Sequence, residues 1–353
     1  MDRYSRQELF SPIGKDGQAA IRSASVGIVG CGALGSLQAE AIVRAGVGRL
    51  RIIDRDFVEF SNLQRQALFS EKDAAASTPK AIAAAARLKE INSEVEVEPV
   101  VADLSSDRLD LLSGLNLVLD GTDNFQTRYL LNDYAWSKRV PWIYGACVGS
   151  SGIACAFVPP DFPCLRCLFE SEPAVGTAPT CDTVGIVWPA VGAVVSFQIA
   201  AALKILVGEL LRPELLQVDM WASHYHLVSI ANAKNGDCAT CGTKDFPSLN
   251  SPRDLQTSLC GRKAIQVKPS NSSTLDLVDF EKRWKAIGQV QRNPFLVKLL
   301  IQSGAQASLP ATGTEAGPTE MVEIVLFSDG RAIIKGTADP VRARDLYSKY
   351  VGM

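Results

Sequence analysis

The sequence has almost no excess charge of either sign. Its 353 residues contain 36 Lys and Arg against 38 Asp and Glu, which gives a net charge of −2. Proteins that bind DNA, RNA or acidic membranes through a charged surface carry a clear positive excess. Neither nucleic acid nor a membrane surface is therefore an expected partner.

The start of the chain lacks an apolar segment, and the whole chain has little histidine. Residues 1–7 read MDRYSRQ, which is charged and polar where a secretory signal peptide has an apolar core. We therefore expect a cytoplasmic protein. The two histidines, His224 and His226, alternate along a predicted strand. They could share a metal ion, but ordinary strand positions explain them better.

Apolar residues, in contrast, are plentiful. They make up 47% of the chain, enough to form the core of one large domain and one small one. Residues 184–203 carry no charge and are long enough to cross a bilayer. Because Pro189, Ser196 and Gln198 interrupt this stretch and no basic cluster flanks it, a buried helix is the favoured interpretation.

Short β-rich runs alternate with helical patterns in the first half of the chain. Strands are predicted near 25–30, 49–54, 95–101 and 116–120, and helices near 34–45, 79–91 and 124–138. Such alternation predicts an α/β fold with a Rossmann-like, mainly parallel sheet flanked by helices. Later β-rich runs near 142–146, 152–158, 214–220 and 223–230 form a β-rich end to this domain.

The composition changes after residue 242. Residues 243–261 are rich in Pro, Ser and Asn, which predicts a linker between a domain at 1–242 and a small α+β domain at 262–353. In the small domain, strands are predicted near 264–268, 295–301, 322–328 and 331–336, and helices near 275–286 and 340–350. Asp329-Gly330 is a hairpin signal, and residues 303–319 are predicted to form a mobile loop.

A glycine-rich turn follows the first predicted strand. Gly30, Gly32 and Gly35 allow a strand to turn tightly into a helix whose free N–H groups and positive dipole end face a phosphate. Asp54 closes the next strand, where a carboxylate can bind ribose hydroxyls. Glycines at this spacing also occur in ordinary turns, but here a strand precedes them and a helix follows.

Polar side chains that suit a triphosphate follow this turn. Asn62 and Arg65 lie in the segment 61–66, Lys80 begins a predicted helix, and Asp123 follows a strand end. Amide, guanidinium and ammonium groups bind phosphate oxygens, and a carboxylate binds Mg²⁺. Each residue alone is better explained as a solvated charge or a helix cap. Their joint placement at one edge of a parallel sheet favours ATP over a nicotinamide cofactor.

Four of the nine cysteines form two CxxC pairs, Cys164/Cys167 and Cys238/Cys241. Four thiolates are enough for a closed, tetrahedral Zn²⁺ site of the structural type. Two redox-active or unliganded pairs are the alternative.

Taken together, these motifs resemble the ThiF/MoeB/HesA family, the bacterial relatives of ubiquitin-activating enzymes, over about residues 3–242. The motifs occur in the family's order: residues 3–7 (RYSRQ), the glycine turn, 45–48 (AGVG), 61–66, 120–124 and both CxxC pairs. The resemblance implies ATP-dependent adenylation of the C-terminal glycine carboxylate of a ubiquitin-like sulfur-carrier protein, with release of pyrophosphate. The pathway would be thiamine, molybdopterin or related sulfur transfer. The chain departs from many relatives at Ala33, where the methyl group is expected to tighten the phosphate loop.

The resemblance also implies roles for individual residues. Asp54 would bind ribose, Asp123 would hold Mg²⁺, and Arg6 would reach across a homodimer into the partner's site. The remaining nucleotide contacts implied by it are Gly30, Gly32, Ala33, Ser61, Asn62, Leu63, Gln64, Arg65, Lys80 and Asn124. Cys164, Cys167, Cys238 and Cys241 would hold a structural zinc.

Two further cysteines carry open interpretations. Cys181 matches a loop where some relatives have a cysteine that forms a thioester or acyl disulfide with the carrier, but it is equally well an ordinary thiol. Cys260 is similar to a sulfurtransferase loop residue, yet the domain after it is too short for a rhodanese, so we interpret it as structural. A sulfurtransferase is a candidate partner, and the small domain is expected to help dock the carrier.

Three other functions share parts of this pattern. A NAD-dependent oxidoreductase would use the glycine turn and Asp54 but would leave Arg65, Lys80 and Asp123 unexplained. An enzyme that adenylates a peptide or a tRNA-linked carboxylate would keep the whole ATP site. A non-catalytic subunit would normally have lost these residues.

Overall fold

The structure is a computed structural model that describes residues 3–173, 180–250, 256–259, 264–268, 274–303 and 320–352. The chain divides into two compact units, Met1–Arg253 and Asp254–Met353. The boundaries predicted from composition, at 242 and 262, lie on either side of this division and stay predictions. Cys260 and all but the first residue of the predicted mobile loop lie outside the described residues.

The first unit is built on one eight-stranded sheet. Its strands are β1 Ser25–Val29, β2 Arg49–Asp54, β3 Glu96–Val101, β4 Leu117–Asp120, β5 Trp142–Val148, β6 Ser151–Phe157, β7 Glu214–Asp219 and β8 His224–Ser229. They lie in the order β3-β2-β1-β4-β5-β6-β7-β8. The first five are parallel and the last three are antiparallel. This confirms the predicted α/β class, and the strand order reverses between β1 and β4, where such sheets bind ligands.

Helices cover both faces of this sheet. They are α1 Ser5–Glu8, α2 Gly14–Ser23, α3 Ala33–Ala45, α4 Glu71–Ala76, α5 Lys80–Ile91, α6 Phe125–Lys138, α7 Leu165–Leu168, α8 Cys181–Val184 and α9 Trp188–Val207, with short 3₁₀ segments at Phe60–Asn62, Ser106–Leu112 and Ala231–Ala233. Apolar residues of α2, α3, α5 and α9 share one core with Ile28 and Ile52. On the other face, Tyr129 and Leu131 of α6 pack with Val118. Burial on both faces explains why most residues of β1 and β4 are apolar.

The long apolar helix begins four residues later than predicted. Val184 belongs to the short α8, and Gly185, with φ +84°, separates it from α9. Pro189 does not interrupt α9 but lies in its first turn, where the missing N–H is not needed. The helix packs against α3, β5 and β6. Among the helices in the described part of the chain, α9 is the one that could span a membrane by length and composition.

The second unit is a six-stranded antiparallel sheet with two helices. Its strands lie in the order β11-β12-β13-β14-β10-β9. Their bounds are β9 Gln256–Leu259, β10 Ala264–Val267, β11 Gln289–Arg292, β12 Leu296–Ser303, β13 Glu320–Phe327 and β14 Ala332–Lys335, and the helices are α10 Leu277–Trp284 and α11 Pro340–Tyr350. Trp284 and Tyr347 pack on Ile324 and Ile334 in its core. The β13–β14 hairpin turns through Gly330 at φ +82°, as the Asp-Gly signal predicted.

Candidate active site

The turn between β1 and α3 needs two of its glycines for backbone packing. Gly30 has φ +86°, and a Cβ atom on it would lie 2.6 Å from the carbonyl oxygen of Gly121. A Cβ on Gly35 would lie 1.8 Å from the carbonyl oxygen of Gly30. No larger residue fits at either position without moving the backbone. The turn therefore packs directly against the end of β4.

Gly32 lies at the start of α3 and is different. A Cβ on Gly32 would meet only the side-chain amide of Gln66, at 3.9 Å, among the described neighbours outside its own loop. No side chain caps the helix there. Its first N–H groups and the positive end of its dipole therefore face open space, an arrangement that suits a phosphate. Ala33 is the first residue of α3.

Asp54 ends β2 beside this turn. Its carboxylate accepts hydrogen bonds from the N–H of Cys31 at 2.6 Å and from the N–H of Asp56 at 2.7 Å. Burial raises the pKa of Asp54, and the nearby Lys80 acts in the opposite direction. The carboxylate thus lies against the glycine turn itself, within the site where ribose binding is predicted.

Lys80 is not the solvated surface charge that its position alone would suggest. Its side chain is only 4% exposed and its Nζ lies 3.3 Å from the Asp56 carboxylate. Its backbone N–H donates to the Asp56 carbonyl oxygen at 2.9 Å. The ammonium group of Lys80 therefore lies buried between the first turn of α5 and the end of β2, close to Asp54.

Arg55 extends this charged cluster. Its guanidinium lies 3.2 Å from the Asp103 carboxylate and 4.0 Å from that of Asp56. Burial acts to lower the pKa of Arg55, but Asp103, Asp56 and Asp123 outweigh it and raise that pKa. Four carboxylates, those of Asp54, Asp56, Asp103 and Asp123, surround the two cations Arg55 and Lys80. This excess of negative charge favours binding of a further cation.

The segment 61–66 contains two buried side-chain amides in which one atom lacks a hydrogen-bond partner. Asn62 is fully buried and its Oδ1 accepts the Glu59 N–H at 3.0 Å, but its Nδ2 has no hydrogen-bond partner in the structure. The Oε1 of Gln66 is also buried and has no hydrogen-bond partner in the structure. Arg65 donates to the Ser61 carbonyl oxygen at 2.8 Å. Buried amides in this state fit a site that a ligand completes.

Two residues of this segment have different surroundings. The side chain of Leu63 packs with Val58, Ala74 and Ala83, so any contact it makes with a nucleotide must come from its backbone. Gln64 is exposed, as is Ser61.

The loop between β4 and α6 is held by a buried ion pair. Asp120 is fully buried and accepts from Arg128 Nε at 3.0 Å and from the N–H and hydroxyl of Thr122. Arg128 also donates to the carbonyl oxygens of Thr122 at 2.7 Å and Gly145 at 3.0 Å. One guanidinium thereby links the end of β4, the middle of β5 and the loop that carries Asp123.

Asp123 and Asn124 occupy different positions on this loop. Asp123 is exposed and lies close enough to Arg55 and Arg128 to influence the pKa of both. Asn124 is the N-cap of α6, where its Oδ1 accepts the Thr127 N–H at 2.9 Å. A capping role accounts for Asn124 without a ligand, and its predicted nucleotide contact stays a prediction.

The structure therefore brings Gly32, Asp54 and Lys80 to one edge of the sheet, with Asp123 on the adjoining loop. Parallel register explains this, because Val29 pairs with Ile53 on one side and with Asp120 on the other. Sequence reasoning missed Arg55 and Arg128, as well as Gln66 as a site residue. Only Gln66 had a usable signal, since it ends the 61–66 motif.

The N-terminal motif explains one conspicuous glycine. Tyr4 is buried, accepts a hydrogen bond from Asn92 at 2.8 Å, and occupies the space that a Cβ on Gly46 would need. Gln7 donates to the Ala45 carbonyl oxygen at 2.9 Å. Arg6, between them, is exposed. The motif thus anchors itself on the turn after α3 and leaves Arg6 directed to the outside.

The two CxxC pairs meet in space, as a shared metal site requires. The four Sγ atoms all lie within 4.8 Å of one another, with Cys164 and Cys238 3.4 Å apart and Cys167 and Cys241 3.3 Å apart. Burial, together with the neighbouring thiols, raises the pKa of Cys241 to about 12. Four thiolates so close repel one another unless a cation lies between them, so the donor set fits Zn²⁺. His224 and His226 lie on the exposed β8 instead.

Helix α6 anchors this cluster. Asn132 accepts the Leu165 N–H at 2.9 Å, and the fully buried Asp133 accepts from the Ser248 N–H at 2.7 Å and from the Thr240 hydroxyl. Arg166, inside the first CxxC pair, lies 3.6 Å from Asp133. The cysteine loops are therefore positioned by the sheet-covering helix.

Cys181 lies in more structured surroundings than predicted. It is the first residue of the short α8 and is half-buried, with its Sγ donating to the Cys147 carbonyl oxygen at 3.2 Å. The loop position expected for Cys181 is wrong, because the backbone of Gly149 pairs with Gly185 and Val187 and holds α8 at the end of β5. Residues 174–179, which precede it, lie outside the described residues.

The fold and the site define a nucleotide-binding α/β protein with a four-cysteine cluster. A sequence model of the ThiF family matches residues 4–240, more than half of the chain, and the chain belongs to this family. This confirms the resemblance inferred from the motifs.

Relatives of full or nearly full length support the same grouping. The chain is 42% identical to the sulfur carrier protein ThiS adenylyltransferase of Bacillus subtilis over 353 residues, 99% of each protein. It is 39% identical to the SAMP-activating enzyme E1 of Haloferax volcanii over 252 residues, 70% of this chain and 92% of that protein. Among solved structures, E. coli MccB with ATP gives a TM-score of 0.59 at 22% identity, covering 68% of this chain and 74% of that one. That similarity concerns the fold alone.

Proposed function

We propose that this protein is an ATP-dependent adenylyltransferase that activates the C-terminal glycine carboxylate of a ubiquitin-like sulfur-carrier protein and releases pyrophosphate. One observation carries the proposal. The open turn at Gly32 lies at the same edge of the sheet as Asp54, Lys80 and Asp123, where the strand order reverses between β1 and β4. Full-length similarity to an enzyme named for adenylation of ThiS gives the carrier class.

The chemistry asks little of a general base. A carboxylate attacking the α-phosphate of ATP needs in-line positioning and neutralisation of the phosphate charge. The first N–H groups of α3 and the side chains of Asn62, Arg65 and Lys80 would supply these, while Asp54 would hold the ribose. Because Lys80 is buried beside Asp56, its ammonium group is already oriented before ATP binds.

Mg²⁺ is the proposed metal cofactor at this site, held by Asp123. When bound, Mg²⁺ neutralises phosphate charge and orients the phosphates. The excess of carboxylates around Arg55 and Lys80 supports this assignment, and the exposure of Asp123 leaves its oxygens accessible.

Zn²⁺ is the proposed occupant of the four-cysteine cluster. With four protein thiolates no coordination position is left for a substrate, so the metal would stabilise the fold and take no part in adenylation.

A homodimer with an active site shared between subunits is the proposed assembly. Arg6 would contribute to the partner's site, and the large apolar side chains beside it are exposed, Leu9 by 73% and Phe10 by 61%. Exposed apolar side chains of this size commonly mark a protein interface. The second unit would help dock the carrier, although a stabilising role in the dimer is the alternative.

The protein is proposed to act in the cytoplasm, with no nucleic-acid or membrane partner, since its net charge is close to zero. A sulfurtransferase is the proposed further partner. A covalent role for Cys181 is supported only by its place at the end of β5, near the strand ends that carry the other site residues.

The test is ATP–pyrophosphate exchange that depends on a purified carrier ending in Gly-Gly. A carrier lacking the last glycine should not support exchange. Asp123→Ala should lower the exchange rate about 100-fold, because the transition state loses the stabilisation that the metal charge provides. Asp110→Ala, which removes an exposed carboxylate elsewhere, is the matched control and should leave the rate unchanged. Near-normal exchange in Asp123→Ala would contradict its assignment.

A further inference from the structure

We propose that Gln66 is an additional ATP-binding residue, whose side-chain amide donates a hydrogen bond to a phosphate oxygen at the N-terminus of α3. The inference rests on the proposed adenylation function. It adds to the site a residue of the 61–66 motif to which the family resemblance assigns no role. Three observations on the glycine turn and the 61–66 segment carry it.

The first observation is an unsatisfied amide in the interior. Gln66 is 3% exposed, and its Oε1 is buried without a hydrogen-bond partner in the structure. Leaving a buried polar group unpaired costs about 1–3 kcal/mol, so folded proteins seldom retain one without a reason. A leucine or methionine would fill the same volume at no such cost. A phosphate oxygen is itself an acceptor and cannot satisfy this Oε1, so the unpaired atom shows only that hydrogen bonds within the protein do not hold the amide oxygen, and a contact with phosphate must come from Nε2.

The second observation is the direction of the amide. The space in front of Gly32 is open, and Gln66 Nε2 borders it, 3.9 Å from the point where a Cβ on Gly32 would lie. Gly30 and Gly35 are required by backbone contacts, but among the described residues outside its own loop no atom lies close enough to require glycine at position 32. A ligand that approaches the backbone at Gly32 accounts for both the glycine and the facing amide.

The third observation is the electrostatic character of this space. Helix α3 has 13 residues, no side-chain cap at Gly32 and no acidic residue in its first turn. Its free N–H groups and dipole therefore attract an anion. The ligand class that fits is a phosphate group, to which the helix supplies charge and Gln66 supplies a directed donor.

A second amide on the same turn supports the assignment. The backbone N–H of Gln66 donates to the Asn62 carbonyl oxygen at 3.0 Å, so the two residues follow each other on one turn. Asn62 Nδ2 is also buried without a partner. Arg65 between them holds the Ser61 carbonyl oxygen. The segment thus presents two side-chain amides, in each of which one buried atom has no hydrogen-bond partner in the structure.

The experiment measures binding of an ATP analogue with a methylene bridge between the α- and β-phosphates, with Mg²⁺, by isothermal titration calorimetry. Gln66→Leu should bind it about 10-fold more weakly, the loss expected for one hydrogen bond to a charged group. Adenosine, which has no phosphate, should bind equally to both proteins. Gln66→Glu should lose more than Gln66→Leu, because its carboxylate repels the phosphates. Gln217→Leu, an exposed glutamine on β7, is the matched control.

Thermal unfolding without ligand separates binding from a structural role. Gln66→Leu should unfold at the same temperature as the unmodified protein or higher, because an unsatisfied polar group has been removed. If Gln66→Leu does not fold, Gln66→Met is measured instead. Unchanged affinity for the analogue in a folded variant would overturn the inference, and so would an equal loss for adenosine. Failure of the unmodified chain to bind the analogue would instead refute the proposed function, and the role of Gln66 with it.

Discussion

Replacing Arg128 with alanine should destabilise the first unit far more than breaking an exposed ion pair of similar length. Arg128 lies 3.0 Å from Asp120, and the two side chains are 6% and 0% exposed. The pair Arg87–Glu90 on α5 has a separation of 2.7 Å, but its side chains are 56% and 69% exposed. The two pairs differ in burial and in the two backbone carbonyl oxygens to which Arg128 also donates, and Arg87→Ala is the control for loss of an exposed pair.

The loss in free energy of unfolding depends on which buried polar groups each variant leaves without a partner. Removing one partner of a buried pair costs about 3–5 kcal/mol, because the other charge stays buried without compensation. Asp120 keeps the N–H and the hydroxyl of Thr122 as donors, which places that loss near the lower limit. The carbonyl oxygens of Thr122 and Gly145 lose their donor at about 1 kcal/mol each. We expect about 5 kcal/mol for Arg128→Ala and less than about 0.5 kcal/mol for Arg87→Ala.

Urea unfolding followed by tryptophan fluorescence and circular dichroism measures the two free energies. Trp142 shares the apolar core that α6 forms with the sheet, so its signal reports unfolding of the first unit. The urea midpoint should fall for Arg128→Ala with an unchanged slope. A difference between the two variants of less than about 1 kcal/mol would refute the view that burial of this ion pair holds the loop of Asp123.

Three other predictions follow from the site. Protein purified without chelator should carry one Zn²⁺ per chain, and Cys238→Ser should lose it and unfold at a lower temperature; metal analysis that finds no zinc would contradict the assignment. Subunits carrying Arg6→Ala and subunits carrying Asp123→Ala, each strongly impaired alone, should recover part of the exchange activity when mixed under subunit exchange, and no recovery would exclude a cross-subunit role for Arg6. Cys181→Ala should retain pyrophosphate exchange but lose any covalent carrier adduct seen by mass spectrometry, so an unchanged adduct would exclude Cys181 as its attachment point.

Elements with a strong local pattern were predictable from the sequence. The strands β1 to β4 match their predicted ranges to within a residue, because β1, β2 and β4 combine mostly apolar side chains with a turn or helix signal on each side. The edge strand β11, Gln289–Arg292, was missed because three of its four residues are polar and exposed. The start of α9 was misplaced because Pro189 was treated as an interruption, although proline is favoured in a first helical turn.

The site was predictable in its location but not in its internal contacts. Parallel strands end at a common edge, so Gly30, Asp54 and Asp123 could be grouped from their places after strands. The pairing of Lys80 with Asp56, and of Arg128 with Asp120, depends on which side chains meet after folding. No local pattern specifies that Gln66 faces Gly32, 34 residues earlier in the chain. These contacts were therefore visible only in the structure.

One helix connects the two sites that the sequence suggested separately. Near its N-terminus, α6 carries Arg128, which holds the loop of Asp123; one turn later it carries Asn132 and Asp133, which hold the two cysteine loops. All three side chains are at least nine-tenths buried, so a shift of α6 cannot be absorbed by one end alone. Zinc bound by the four cysteines would thus fix the helix that positions the nucleotide loop, although no metal ligand takes part in adenylation. The position of Asp123 would then depend, through α6, on cysteine loops that contribute no residue to the proposed nucleotide site.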